Sequence, residues 1–158
     1  MAGANLEVTL VGADEFQRAI ERAEQHLVGS ERRLMLQDIG EYLLNATRER
    51  AGKEVGPDGR PWQPLSPRYA ERKARKRSGR KLLIFDRHLL GDQLSTQLVG
   101  DDAVAVGTNA VYGAAHQFGV GRRGLPARPW LGISDEDDAE MAAIAEDHLG
   151  RIFAVRGT

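Results

Sequence analysis

Cysteine is absent from the 158 residues. That removes a disulfide scaffold, a thiolate zinc site and a cysteine nucleophile together, and leaves the compartment open. Long apolar runs are missing too, since none approaches the roughly 18–20 residues of a membrane span. The opening stretch MAGANLEVTLVGADEF sets acids directly after a short apolar run, where a secretory leader would show a basic start and a cleavage site. The expectation is a soluble protein that is not exported. Net charge is nearly nil as well: 22 Lys and Arg against 23 Asp and Glu leave −1. What is present is ordinary for a globular chain: 41% of residues are apolar, which speaks against wholesale disorder, and the length suits one domain, 1–158, around one core.

Reactive constellations are equally scarce. The histidines His26, His88, His116 and His148 never recur at the i+3 or i+4 spacing that sets two ligands on one helix face, and no HExxH occurs. Asp135, Asp137 and Asp138 lack the glycine and the ligand cadence of a calcium loop, so their expected work is to complement a helix dipole. No serine lies in GxSxG. Gly119-Val120-Gly121-Arg122-Arg123-Gly124 spells GxGxxG, but a helix precedes it and Leu125-Pro126-Ala127-Arg128-Pro129 follows, the reverse of a strand-to-helix phosphate loop. A flexible basic loop is the expectation there. Neither metal, cofactor nor enzymatic activity is indicated.

Periodicity outlines an α+β fold, a small antiparallel sheet packed with several helices and joined by long ordered loops. Leu6–Val11 alternates as a strand. A helix opens at Ala13-Asp14-Glu15, carries Phe16, Ile20, Ala23 and Leu27, and stops at Gly29; a second starts at the cap Ser30, bears Leu36, Ile39, Leu43 and Ala46, and runs to about Arg50. Residues 52–67 hold too many Gly and Pro for a regular element, with a turn at Pro57-Asp58-Gly59. Ser66-Pro67 opens a basic helix ending near Ser78-Gly79. Residues 82–85 form a short buried segment, and Asp86 is read as the cap of a brief helix with Leu89, Leu90 and Leu94. Gly100-Asp101-Asp102 joins two strands, 95–99 and 103–107. A helix over 110–118 places Val111, Ala114 or Ala115, and Phe118 on one side, and a last helix from Ser134-Asp135 carries Met141, Ala145, Leu149 and Ile152.

Near-neutrality hides a polarity along the chain. Arg68 to Lys81 holds eight basic residues and one acid, whereas Ser134 to His148 holds seven acids and no Lys or Arg. Opposite patches of this kind steer encounters with a charged partner or with further copies of the same chain; each is equally a solvated helix face. The basic helix is also a candidate nucleic-acid element, and a nucleic-acid-binding protein using residues 68–81 is the alternative reading.

Four stretches stand in a telling order: Pro57-Asp58-Gly59-Arg60-Pro61-Trp62-Gln63-Pro64-Leu65; the basic helix; Val106-Gly107-Thr108-Asn109 with Tyr112-Gly113-Ala114-Ala115-His116-Gln117-Phe118-Gly119; and Leu125-Pro126-Ala127-Arg128-Pro129-Trp130-Leu131-Gly132. Over residues 6–150 the chain resembles the phage virion morphogenesis family, the tail-completion proteins of Mu-like and related contractile-tailed phages and prophages. Gly113, where Ala is usual, and Trp130, where Phe is common, depart from the pattern. The resemblance implies a structural virion protein without enzymatic activity. It would be assembled in the host bacterial cytoplasm into a homo-oligomeric ring, six copies being expected, at the neck where tail meets head. Its partners would be the tail tube or terminator and the head connector, with packaged DNA in the channel. Candidate interface residues are Trp62, His116, Gln117, Phe118, Arg128, Pro129 and Trp130 of the stiff loops, Arg72, Lys73, Arg75 and Lys76 of the basic helix, and Asp135, Asp137 and Asp138 of the acidic one. Trp62 and Trp130 are alternatively core aromatics, and His116 and Gln117 alternatively hold loop geometry by hydrogen bonds.

Overall fold

A computed structural model of the chain describes residues 14–24, 26–27, 29–75, 82–85, 88–89 and 93–156. The strand read over 6–11, Lys76 and Asp86 lie outside them. Within these residues the order is α1 (Asp14–Glu24), α2 (Ser30–Lys53), α3 (Pro67–Arg75), β1 (Ile84–Phe85), β2 (His88–Leu89), β3 (Leu94–Val99), β4 (Ala103–Thr108), α4 (Tyr112–Phe118), a 3-10 turn (Gly121–Arg123) and α5 (Asp135–Arg156). This is an α+β fold with two small two-stranded sheets, β1-β2 and β3-β4. Its contacts group into two compact units. Unit one contains Asn45–Ser95 and Gly107–Gly132; unit two contains the described residues up to Leu44, Thr96–Val106 and the described residues from Ile133.

Unit two is built on helix packing. Gly29 at φ 60° ends the approach from α1, and Ser30 opens α2. Where α1 packs on α5, Leu27, Met35, Ile39, Met141 and Ala145 form a dry centre, flanked by Phe16, Ile20 and Leu43. Met141, Ala145, Leu149 and Ile152 are all buried, as their spacing requires of one helix face. Two helix starts are capped by aspartates. Ser134 Oγ accepts from Asp137 N at 3.1 Å while Asp137 Oδ2 accepts from Ser134 N at 2.8 Å, a reciprocal capping box. The next residue, Asp138, reaches α1 and accepts from Glu15 N at 3.1 Å and Phe16 N at 2.9 Å, satisfying amides that the first turn of a helix leaves open. The hairpin β3-β4 also packs here: a Cβ at Gly40 of α2 would press into Thr96 Oγ1 and Val104 Cγ2. Both neighbours are stiff, β-branched side chains. Gly40→Leu is therefore expected to cost about 2–3 kcal/mol through overpacking, measured as a lowered urea midpoint by far-UV circular dichroism.

Unit one is mostly loop. Residues 54–62 close on themselves through Gly56 N to Arg60 O at 2.9 Å and Trp62 N to Glu54 O at 2.9 Å, with Gly59 at φ 72° in the expected turn. Pro67 starts α3, where its missing N–H costs nothing. The brief helix read after Asp86 is corrected. Ile84 pairs with Leu89 and Phe85 with His88 in antiparallel register, and Leu94 opens β3. With Ile84-Phe85 and His88-Leu89 taken up in strands, too few residues are left there to nucleate a helix.

Candidate functional site

Irregular backbone carries amides and carbonyls with no ladder to join, so a buried loop must find side-chain partners for them. Unit one supplies these from five residues. Trp62 Nε1 donates to Pro129 O at 2.7 Å, and Trp130 Nε1 donates to Gly113 O at 3.1 Å. Gln117 uses its whole amide: Oε1 accepts from Trp130 N at 2.9 Å and Leu131 N at 3.0 Å, and Nε2 donates to Leu131 O at 2.9 Å. Arg128 donates from Nε to Gln63 O at 2.7 Å and from Nη2 to Pro64 O at 3.3 Å, while its backbone N donates to His116 O at 2.7 Å. Arg50 adds a bond to Gly132 O at 3.1 Å. The loop 57–65, helix α4 and the 125–132 segment are thereby tied into one frame. Both tryptophans are buried, and Gln117 holds loop geometry as one of its two readings proposed.

Between these segments lies a cleft of about 770 Å³, walled by residues 63–66 and α3 on one side and by α4 and residues 123–128 on the other. Leu65, Leu83, Leu125 and Pro126 give it apolar walls, with Tyr69 and Tyr112 among them. Its charged members are Lys73, Arg123 and Arg128, and no carboxylate is among the described lining residues. Lys73 is only 6% exposed and Arg128 only 3%. Burial lowers the pKa of both, the loss of water disfavouring their charge, although Glu54 pulls each the other way. Burial, and then Arg128 and Lys73, hold His116 below the usual histidine range, so its ring is neutral at neutral pH. Its Nδ1 is buried and has no hydrogen-bond partner among the described residues. Arg72 lies outside the lining and stacks over the Tyr69 ring at 4.9 Å.

The expected interface residues separate into two sets. Arg72, Arg75, Phe118, Pro129 and Asp135 are exposed. Lys73, a candidate interface residue of the basic helix, is buried within unit one, beside Arg128 and His116. Asp137 is 1% exposed and takes the Tyr42 hydroxyl at 3.1 Å in addition to its cap bond, so its acceptors are spent within unit two. Burial first, and Asp137 second, push the Tyr42 hydroxyl far above the ordinary phenol range. Asp138 is likewise engaged in capping α1. The 119–124 segment, read as a flexible basic loop, is a closed turn: Val120 and Leu125 exchange bonds of 2.8 and 3.2 Å around the 3-10 turn. That shape gives no helix N-terminus for a phosphate.

Two contributors escaped sequence reasoning. Tyr69 carries no motif signal, although its hydroxyl makes it suited to a half-wet wall. Glu54 stands at φ 60°, accepts from Leu82 N at 2.7 Å and balances the two buried cations; its partners lie far along the chain. Among the described residues, no three His, Asp or Glu side chains gather as a metal site, and no helix is long and apolar enough to cross a membrane.

The four stretches that make the frame and the cleft lie within the span of one family model, that of the phage virion morphogenesis family, which matches residues 11–150. Mu-like prophage FluMu G protein 2 of Haemophilus influenzae is 30% identical over 150 residues, covering 91% of this chain and 96% of that protein. Mu-like prophage FluMu G protein 1 of the same organism is 31% identical over 120 residues, 73% of this chain and 80% of its own. An uncharacterised protein of Methanocaldococcus jannaschii is 35% identical over 72 residues, 44% of this chain and 53% of its own. No solved structure matches significantly. With the match running from before α1 to the middle of α5, the chain belongs to the phage virion morphogenesis family.

Proposed function

We propose that this protein is a structural, non-enzymatic component of the phage neck, a ring of copies, six on the family resemblance, that completes the tail and joins it to the DNA-filled head. The observation that carries this reading is the frame of unit one. Segments that the family match spans are locked by hydrogen bonds around a preformed cleft, which saves the ordering entropy that docking would otherwise cost. The charged groups of that cleft are cations, a set suited to holding an acidic partner, and no carboxylate base stands among its described lining residues. Beside it, Val111, just before α4, and Phe118, at its end, are 73% and 66% exposed. Large exposed apolar side chains of this kind suit an assembly surface. The exposed Arg68, Arg72 and Arg75 of α3 favour an added contact with packaged DNA, through phosphate neutralisation.

A stop codon in this gene tests the reading by electron microscopy of the lysate. Full heads beside complete, unattached tails are expected. Tails of irregular length would move the role to tail termination, and normal infectious particles would overturn the proposal. In that last case salt-dependent DNA binding by the free subunit becomes the next measurement.

A further inference from the structure

The cleft has a specific chemistry that the ring reading leaves unassigned. It is concave, apolar-walled and cationic, and its two deepest cations, Lys73 and Arg128, are buried. A duplex backbone is too wide to bring phosphates to groups so enclosed, whereas a carboxylate on a narrow protein segment can enter. The volume, about 770 Å³, compares with the roughly 400–600 Å³ swept by one turn of an α-helix 10–12 Å across.

The same chain offers a segment of matching chemistry. Along α5, Glu136, Ala139, Glu140 and Ala143 are all exposed, and their i, i+3, i+4, i+7 spacing puts them on one face. Alanine keeps that face thin and the two glutamates give it charge. Unlike Asp137 and Asp138, neither glutamate serves as a cap. The charge of the two units follows the same division. Among described residues, unit one holds eleven Lys and Arg against four Asp and Glu, and unit two holds six against sixteen.

We propose that the cleft of one copy receives the Glu136–Glu140 face of α5 from the next copy, a head-to-tail contact between unlike surfaces. Such a contact is heterologous, so it closes a ring when the rotation permits. The inference rests on the ring reading and names its subunit contact. Arg123 at the cleft rim meets a glutamate, the apolar walls take the alanines, and Lys73 and Arg128 supply the field that orients entry.

The absence of cysteine makes the test clean. A chain carrying Arg123→Cys and Glu140→Cys, oxidised at high concentration and in assembled particles, should give a ladder of cross-linked oligomers. Each single-cysteine chain should give no ladder, and a one-to-one mixture of the two should stop at a dimer. A dimer from either single variant alone would mean a two-fold contact and overturn the proposal. Charge reversal supplies a second readout: Arg123→Glu and Glu140→Arg should each lower the yield of infectious particles at least about tenfold, and the two together should restore it. No ladder and no restoration would sink this contact even where the stop-codon phenotype supports the neck role, whereas normal particles from the stop codon would sink the neck role itself.

Discussion

Trp130→Ala is expected to destabilise unit one by about 3–5 kcal/mol, the range for deleting a buried large aromatic side chain. Trp130 is 1% exposed, and its loss opens a cavity and leaves Gly113 O without its 3.1 Å donor. The damage spreads because the adjoining amides of Trp130 and Leu131 share the Gln117 carbonyl. Trp130→Phe keeps most of the packing and forfeits the N–H, so its cost should be nearer the roughly 1–3 kcal/mol of an unsatisfied buried acceptor. The chain has 2 tryptophans, Trp62 and Trp130, and both belong to unit one. Indole fluorescence therefore reports unfolding of that unit, with Trp62 as the remaining probe in either variant. A midpoint unchanged in urea for Trp130→Ala would show that the frame does not depend on this ring.

Gly119→Ala is the second large effect. Gly119 has φ 72° and ψ 170°, a region that residues with a Cβ scarcely enter. A Cβ there would meet Ala127 N at 2.7 Å and Leu125 O at 2.9 Å, backbone atoms that cannot rotate aside. Backbone strain of about 1–3 kcal/mol and overpacking of similar size together predict a loss of more than about 3 kcal/mol. Relief would require moving the 125–128 segment, which would part Arg128 from His116 O and so deform the cleft. Gly121→Ala provides the control, since no described residue lies within 4 Å of its Cβ position, and it should stay within about 0.5 kcal/mol of the parent. Both are read as shifts in the fluorescence-detected urea midpoint.

The parts of the fold legible in the sequence are those whose causes are local. Gly29 and Ser30 mark the start of α2, Ser134 and Asp137 form a capping box within four residues, and Gly100-Asp101-Asp102 joins β3 to β4. The apolar spacing of Met141, Ala145, Leu149 and Ile152 needs only a helix's own period. The site was legible as motifs and not as geometry. On α4, Gly113 and Gln117 turn toward the loops, whose open backbone groups need hydrogen bonds. Lys73 and Asp137 read as surface charges, since nothing nearby in sequence announces Glu54 or Tyr42 as the neighbours that make their burial tolerable. Leu89 and Leu94 are also compatible with a brief helix, and the pairing of Leu89 with Ile84 and the place of Leu94 in β3 decide for strands.

The way the two units share the chain has a consequence for synthesis. Unit one draws its described residues from 45–95 and 107–132, so every part of the cleft has been translated before residue 133. Unit two must wait longer, because α1 has its packing partner and its cap in α5, more than 120 residues downstream. A chain emerging from the ribosome thus completes the receiving surface first and gains Glu136 and Glu140 afterwards. Neighbouring nascent chains on one message can offer clefts, but none can offer α5 until residues 135–156 have been made. For the head-to-tail contact proposed above, the order of synthesis alone would hold back pairing until α5 has emerged.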